Sequence, residues 1–528
     1  MLKRLKKVFQ RIIKEARADS EENNRPLHSK LNKNIDWLKE QLEPSADVIY
    51  RFFEMGSRAS VGACIIFLDN MVNKEALERR VLVALMNSEP GPDQGEGQFL
   101  AALQQQLIGI AEITKIRDLE KGLDAILDAQ GLLLLDGSTS AIGIGIKKLE
   151  IRSISESVTE PVVVGPRDGF IEDLGVNLTL LRRRLKTPSL KVEKYQLGRL
   201  SKTDVAIVYL ETVTNKKLVE EVKNRLLGID LDGILASNYL AEYMEDSPWS
   251  PFPQLDVSDR PDWVAANLLE GKVAIMIDNA AFTLLVPVVY TQFLHAAEDF
   301  YIRYIYASFT RIVRFVAVNI ALLLPSFYIA IVTFHQELLP TDLLLSIAAG
   351  REPVPFPAFV EALMMEATFE ILREAGVRMP RPVGQATSIV GALVIGNAAV
   401  SAGLVSPVMV IVVALTALAS FVIPSQPAAF SIRILRFPIM FLAAGLGFYG
   451  VMLGIMAILI HLSSLRSFGI PYLSPFAPLM LGDFKNAFIR TPWWMLVNRA
   501  GYYDLQNSKR QRRGQKPKKP SREGGEER

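Results

Sequence analysis

Cysteine occurs once in these 528 residues and histidine four times. A lone Cys64 excludes an intramolecular disulfide. It lies in "ACIIFLD", which reads as a buried strand, where a packed thiol is inert. His28, His295, His335 and His461 have no ligand-like spacing, and H-E-x-x-H is absent, so no metal centre is expected. "GPDQGEGQ" (91–98) lacks the Lys-Ser/Thr of a phosphate-binding loop and reads as a flexible loop. "GIGI" (143–146) lies in a strand and does not open a helix, so it is no dinucleotide fingerprint. With no catalytic constellation and no cofactor motif, the chain does not read as an enzyme. The start, "MLKRLKKVFQRIIKEARA", lacks the continuous apolar core of a secretory signal. Its apolar residues fall at helical spacing among lysines and arginines. That suits a basic amphipathic helix on an anionic membrane face, or a solvated tail helix. The last residues, "SKRQRRGQKPKKPSREGGEER", have nothing apolar to bury and read as a disordered basic tail.

Half of the residues are apolar and 22% are charged, with a mean hydropathy of +0.22. A uniform chain rarely combines these values, whereas a charged soluble part joined to a very apolar part does. Phe315–Phe334 is uncharged and follows Arg311 and Arg314, with Pro325 as an expected kink. Residues 382–432 carry no charge once Pro382 is reached; "SAGLVSP" (401–407) divides them into spans of about 386–403 and 407–424. Phe437–Leu465 is uncharged again, after Arg433 and Arg436. Four spans put both termini on one side, the cytoplasmic one by the distribution of arginine and lysine. Arg433 and Arg436 then fall on the wrong side, which a fifth membrane-embedded segment would repair.

The segment "VPFPAFVEALMMEATFEILREAGVRMP" (354–380) supplies such a segment, as a helix from Ala358 to Ala375 stopped at Gly376. Glu366, Glu370 and Glu374 fall at i, i+4 and i+8 on one stripe. On a surface helix this is a solvated face. Between membrane spans it is expensive unless the carboxylates meet water or ions, and in a symmetric oligomer it becomes rings that favour cations. "SIVGALVIGNAAVSAG" (388–403) is a small-residue packing segment, and Asn397, Val400 and Ser401 are the candidates on it for a pore wall.

The soluble half reads as a duplication with a period of 142 residues. Gly56 aligns with Gly198, so that "FFEMGSRASVGACIIFLDNMVNKEALE" meets "KYQLGRLSKTDVAIVYLETVTNKKLVE" without a gap. Each copy reads strand, turn, helix, with Asn73 and Asn215 as helix caps. The same offset pairs Asp136 in "GLLLLDGSTSAIGIGI" with Asp278 in "KVAIMIDNAAFTLLVPV". Both are hairpin signals, Asp-Gly and Asp-Asn between apolar runs. The apolar stretch 271–295 is therefore expected to be a hairpin turning at Asp278-Asn279, not a first membrane span. The fold expected is a soluble α/β N-terminal region of two duplicated subdomains, helices on mixed sheets, followed by an all-α multi-span membrane domain. The expected division is a basic segment 1–34, subdomains 35–150 and 151–290, a membrane domain 291–480 with a connector 291–311, and a basic cytoplasmic tail 481–528. Asp278, Asn279, Glu298 and Asp299 are the expected junction residues between the two halves. "LRRRL" (181–185) and "GPRDGFIED" (165–173) read as a solvated helix face and salt bridges, with binding of an anion or of a partner's acidic patch as the alternative.

"GPRDGFIEDLGVNLTLLRRRLKTPSLKVEKYQLGR", "SPFPQLDVSDRPD", "LLEGKVAIMIDNAAFTLLVP", "LPSFYIAIVTFHQELLPTDLLLSIAAGREPVPFP" and "REAGVRMPRPVGQATSIVGALVIGNAAVSAGLVSP" follow one another in order. With "AEDFYIRY" and "SLRSFGIPYLSPFAP" they resemble the A subunits of bacterial spore germinant receptors, over roughly 30–480. The resemblance implies a multi-pass subunit of a nutrient receptor in the spore inner membrane, both termini on the core side. It implies work alongside a transporter-like B subunit and a lipoprotein C subunit, as a homo-oligomeric, ligand-gated channel for monovalent cations, with no nucleic-acid partner. A paralogous branch that amplifies ion release without sensing nutrients, and a non-conducting scaffold, are the alternatives. The motifs carry no catalytic residue across.

Overall fold

The computed structural model describes residues 25–55, 61–86, 112–146, 157, 159–379, 394 and 396–517. The basic start (1–24), the 91–98 loop and the first part of the 388–403 segment lie outside these residues.

Two five-stranded sheets form the N-terminal half. The first has strands β1 (Val48–Met55), β2 (Val61–Leu68), β3 (Glu112–Ile116), β4 (Gly131–Leu135) and β5 (Ala141–Gly145), in the order β1-β2-β4-β5-β3. The second has β6 (Leu190–Leu197), β7 (Thr203–Leu210), β8 (Asp256–Ser258), β9 (Val273–Ile277) and β10 (Thr283–Val286), in the order β6-β7-β9-β10-β8. The starts of β1 and β6, β2 and β7, β4 and β9, and β5 and β10 are all 142 residues apart. Gly137 and Asn279, also 142 apart, turn the two hairpins with φ of +84° and +64°, the left-handed region that glycine and asparagine enter at least cost. The sheets are antiparallel throughout, not mixed. β3 and β4 run the same way, but β5 lies between them, so no two neighbours are parallel.

Alternation along β2 and β4 decides what each face meets. Cys64, Ile66, Leu132 and Leu134 pack with helices α1 (Leu31–Leu42) and α3 (Leu119–Leu127). Ile65, Phe67, Leu133 and Leu135 pack with α2, a helix made of Lys74–Ala76, a π-wound Leu77–Leu82 and Val83–Met86. Covered on both faces, β4 ("GLLLL") and β9 ("VAIMI") are buried along their whole length, each large side chain contributing about 1.5–3 kcal/mol. In the second unit α4 (Leu174–Arg184) and α7 (Pro261–Leu269) cover one face, and α5 (Lys216–Leu227) and α6 (Ser237–Met244) the other. The Asn73 carboxamide accepts from Ala76 N at 3.0 Å and that of Asn215 from Lys217 N at 3.0 Å, capping α2 and α5. Burial pushes the Cys64 thiol up to about 12, as an inert core position requires.

Arg182 in "LRRRL" does not face solvent. It reaches across to Asp47 of the first unit in a fork of two 2.8 Å hydrogen bonds, with both side chains buried. Lys191 Nζ donates to Gln41 O at 2.8 Å and Ala46 N to Val192 O at 2.8 Å, so the units are docked by buried polar contacts. Arg184 does pair with Asp168, and Asp173 caps α4 by accepting from Val176 N at 2.9 Å.

The C-terminal half is helical. α8 (Tyr304–Phe334) and α12 (Gln426–Ser464) are each long and apolar enough to cross a membrane; α9 (Thr341–Arg351), α10 (Ala358–Arg378), a turn of helix at 396–401 and α11 (Pro407–Phe421) lie between them. α8 begins at Tyr304, inside the expected connector 291–311, and α10 runs through Gly376 to Arg378. α12 is not a straight rod. Gly447 has φ +59° and ψ −140°, and a Cβ on Gly454 would lie 3.2 Å from Ile439 Cγ1. Fifteen residues of straight helix would hold these positions about 22 Å apart. The chain therefore reverses at Gly447, and arms 426–446 and 448–464 run antiparallel. Their open ends return to one place: the Ser431 hydroxyl donates to Pro251 O, and His461 Nε2 lies 2.8 Å from Ser250 Oγ.

Two apolar layers order the bundle. Near the soluble half, Ala317, Val318, Ala419, Ile432 and Leu462 pack with Val288 and Phe293. Beyond them Ile329, Ala362, Met409, Ile439 and Val451 form the far layer. α10 and α11 start in the far layer, and α8 and α12 start in the near one. Ile434, Phe441, Tyr449, Met452, Met456 and Ile460 point outward from α12, an arrangement suited to lipid rather than water.

Two outcomes test this packing. Asp47→Ala leaves Arg182 buried without its partner and is expected to cost about 3–5 kcal/mol. Lys186→Ala, which breaks the exposed Lys186–Asp128 pair, is expected to cost about 1 kcal/mol or less; urea midpoints of the full chain in detergent compare them. Burial, and then the neighbouring Asp256, raise the Glu160 carboxyl from 4.5 to about 8. A raised folded-state pKa adds stability that is complete below pH 4.5 and lost as pH rises through 8. Glu160→Gln should therefore melt above the parent at pH 9, with the gap closing towards pH 5; an equal gap at both pH values contradicts the assignment.

Candidate ion path and domain junction

The two halves meet at a buried carboxylate. After β10 the chain makes two short 3₁₀ turns, Tyr290–Leu294 and Ala297–Phe300, and enters α8. Asp299 is fully buried in the second turn. Arg311 Nε reaches its Oδ2 at 3.0 Å, and Arg314 Nη1 its two oxygens at 2.8 Å each. These are the two arginines expected to flank the first span; they lie within α8 instead, turned inward on Asp299. Arg311 Nη1 also donates to Asn486 O at 2.9 Å, and His295 Nε2 lies 3.0 Å from Ala487 O. Burial, and then Arg311, hold the His295 imidazole well below its ordinary range, so it is neutral.

The other expected junction residues are placed differently. Glu298 accepts from Val164 N at 3.3 Å. Asp278 accepts from Leu174 N at 3.2 Å, and Asn279 N donates to Glu172 O at 2.7 Å. The Asp278-Asn279 turn thus holds the start of α4, at the opposite end of the hairpin from Val286 and the connector. The C-terminal segment is more ordered than a basic tail. α13 (Leu481–Phe488) and the turns Trp493–Met495 and Gly501–Tyr503 return along the second sheet unit. Tyr503 is buried, Leu505 packs beneath Gly271, and Gln506 N donates to Val213 O at 3.1 Å. The aromatic content of 493–503 anchors this segment; only the last residues have the composition of a solvated tail.

Within the bundle, the α10 carboxylates form a ladder. Glu361 is fully buried, 3.1 Å from Arg351, and accepts from Ser406 N at 3.0 Å. Fully buried Glu366 pairs with Arg436, whose Nε donates to Ala321 O of α8 at 2.7 Å. Glu370 pairs with Arg433 at 3.0 Å and with Arg373 at 3.4 Å. Exposed Glu374 pairs with Arg378 at 2.6 Å. The stripe is thus graded from full burial at Glu366 to solvent-like exposure at Glu374. Glu366 Oε1, Glu370 Oε1, Arg436 Nη2 and Ser326 Oγ are buried without a hydrogen-bond partner, which is costly in an apolar layer.

Sequence reading found the carboxylates and Arg373 as a partial counter-charge, but not Arg433 and Arg436. The signal was present: Glu366 and Glu370 are four apart, Arg436 and Arg433 three apart in the opposite sense, as antiparallel helices require. Glu361 and Arg351 were missed altogether. On the turn 396–401, Asn397 and Ser401 are exposed and Val400 is half-buried, and none of the three is among the partners of the α10 carboxylates. Among the described residues no group of three His, Cys, Asp or Glu could hold a metal ion.

The chain is similar to known proteins over most of its length. Residues 36–502 match the family described as Bacillus/Clostridium GerA spore germination protein. Spore germination protein KA of Bacillus subtilis is 42% identical over 509 residues, covering 96% of this chain and 92% of that protein. An uncharacterized membrane protein, YfkQ, of the same organism is 41% identical over 510 residues, 96% of this chain and 97% of that one. Spore germination protein A1 is 44% identical over 373 residues, 71% of this chain and 77% of its own. Among solved structures, the N-terminal domain of the A subunit of the Bacillus megaterium spore germinant receptor GerK3 is 29% identical, with a TM-score of 0.42, covering 51% of this chain and 98% of that one. With its family match running from the first sheet unit to the C-terminal segment, the chain belongs to the GerA family of spore germination proteins.

Proposed function

We propose that this chain is the A subunit of a nutrient-germinant receptor of the spore inner membrane, and that it acts as an oligomeric, ligand-gated channel subunit for monovalent cations. A transporter-like B subunit and a lipoprotein C subunit are its partners, and both termini face the spore core. The observation that carries the reading is the neighbouring Glu366 and Glu370 of α10, the first fully and the second partly buried in an apolar bundle, each with one buried oxygen that has no hydrogen-bond partner. No structural purpose requires two acidic groups at that depth, since apolar residues would pack there at lower cost. In the described conformation Arg436 and Arg433 neutralise them, which is a closed path. Opening moves the α12 arms away from α10, so that Glu366, Glu370 and Glu374 face a shared pore lined further along by Asn397, Val400 and Ser401.

The fold-back supports the topology. If α8, α10, the 386–403 segment, α11 and both arms of α12 all cross, the chain ends where it began. Arg433 and Arg436 then lie on the side of the soluble half, which removes the conflict in a four-span count. The first arm of α12 (426–446) has the length of a full bilayer crossing, the second (448–464) lies at the short end of that range, and α11 is slightly shorter. A non-conducting scaffold is the second reading, favoured by the arginine partner that each carboxylate of the stripe has.

Ion flux from liposomes carrying the receptor separates the two. Glu366→Gln, Glu370→Gln and Glu374→Gln together are expected to lower cation selectivity; unchanged selectivity and conductance favour the scaffold. Arg436→Gln is expected to raise the basal leak, and adding Glu366→Gln to return it to the parent level. A leak that Arg436→Gln does not change removes the closing role assigned to the pair.

A further inference from the structure

The outer surface of α13 is apolar where a water-facing helix would be polar. Leu481 is 73% exposed and Ile489 50%. With exposed Lys485 they fall at i, i+4 and i+8, one stripe of the helix. Leu479 before the helix and Met495 after it are exposed as well. The rings of Phe484 and Phe488 turn the other way and pack on Phe476 at 5.4 and 5.5 Å. One side of α13 is thus held by protein, and the other presents large apolar side chains that nothing among the described residues covers. Such a patch marks a surface that meets lipid or another protein.

The level of α13 along the bundle is fixed by α8. The Phe488 ring meets Phe315 edge-on at 5.0 Å, Arg490 N donates to Ser308 Oγ at 3.1 Å, and Asn486 O accepts from Arg311 at 2.9 Å. These α8 positions lie just before Ala317 and Val318 of the near apolar layer. The outward apolar stripe of α8 begins at the same level, with Ile305, Phe309 and Ile312 exposed. A second element reaches the same end of the bundle. Trp249 is 98% exposed, and the two residues after it hold the open ends of the α12 hairpin, Ser250 at His461 and Pro251 at Ser431. Tryptophan is enriched where a membrane meets water.

Charge selects the cover. From 481 to 517 the exposed charged side chains are Lys485, Lys509, Arg512, Arg513 and Lys516, against Asp504. An apolar stripe in a basic surround, level with the ends of two helices long enough to cross a membrane, matches an anionic headgroup layer. We propose that α13, with Met495 and Trp249, lies in the headgroup layer of an anionic leaflet, so that lipid supports the N-terminal half at this level. Lys485, between Leu481 and Ile489, extends its ammonium to the phosphates while its stem stays with the apolar stripe. The proposal rests on α8 and α12 crossing the membrane and is independent of the channel reading.

Depth measurement tests it. Full chains in a Cys64→Ala background carry one spin label each, at Leu481→Cys, Met495→Cys or Trp249→Cys, in liposomes of phosphatidylcholine with or without phosphatidylglycerol. Collisions with oxygen, which concentrates among acyl chains, are compared with collisions with a water-soluble nickel chelate. Leu235→Cys gives the aqueous reference, since Leu235 is 69% exposed and follows Ile234, whose carbonyl binds Thr203 at the end of the sheet far from the connector. Met456→Cys, on the outward side of α12, gives the acyl reference. With phosphatidylglycerol present, the three test labels are expected between the references, at an oxygen-to-nickel ratio at least about threefold above that of Leu235. Without it, or with Lys485→Gln, Lys509→Gln, Arg512→Gln and Arg513→Gln together, the ratios at Leu481 and Met495 should fall towards the aqueous value. Ratios equal to that of Leu235 in the anionic liposomes overturn the proposal, and so do equal ratios in the two liposomes. Labels that neither collider reaches overturn it in favour of a protein cover, a second copy included. A Met456 label as aqueous as Leu235 overturns the membrane crossing, and the proposal with it.

Discussion

A carboxylate inside an apolar helix layer is tolerated only when a counter-charge is brought to it, and in this chain the counter-charge comes from a helix that folds back. Arg433 and Arg436 can face Glu370 and Glu366 because the first arm of α12 runs antiparallel to α10. The second arm then returns to the soluble half because the chain reverses at Gly447. A substituent at Gly447 would meet His335 and Phe334, so the reversal also fixes the far end of α8. Arg433, Arg436 and Ser431 are set by the first arm, and the return of His461 to Ser250 follows from the turn at Gly447.

The same economy appears at the junction. The N-terminal half does not reach the helical half through the Asp278-Asn279 turn, which holds α4. It reaches them through Asp299, which binds Arg311 and Arg314 of α8, and through the 250–253 loop, which holds both ends of the α12 hairpin. Tyr472, whose hydroxyl donates to Pro253 O at 2.6 Å, fastens the chain again after the hairpin. A displacement of the second sheet unit would thus be felt at α8 and at both arms of α12, the helices that hold the arginine partners of the α10 carboxylates.

Much of the soluble fold was legible because a repeat carries its own control. "KVAIMIDNAAFTLLVPV" has the length and apolarity of a membrane span, and only its match to "GLLLLDGSTSAIGIGI" one period earlier marks it as a hairpin. Strand direction was less legible, since antiparallel and mixed sheets bury the same residues. In the bundle, Phe437–Leu465 read as one span because a glycine among glycines gives no sign that it reverses the chain. The acidic stripe was visible at helical spacing, but its partners lie some sixty to seventy residues away in sequence. Arg311, Arg314, Arg433 and Arg436 looked like topological markers, and their inward pairing shows only when tertiary packing is in hand. The order of the C-terminal segment was hidden because the basic run after it dominates its composition, although the Trp493-Trp494 and Tyr502-Tyr503 pairs signalled it.

Distance across the α12 hairpin is the most direct test of this account. Spin labels at Ile434 and Ile460, both exposed, in a Cys64→Ala background would report it by pulsed electron resonance. Two antiparallel arms packed about 8–10 Å apart predict a label separation below roughly 25 Å. A continuous helix would hold these positions, 26 residues apart in sequence, at about 39 Å, and that distance would contradict the fold-back of the α12 arms.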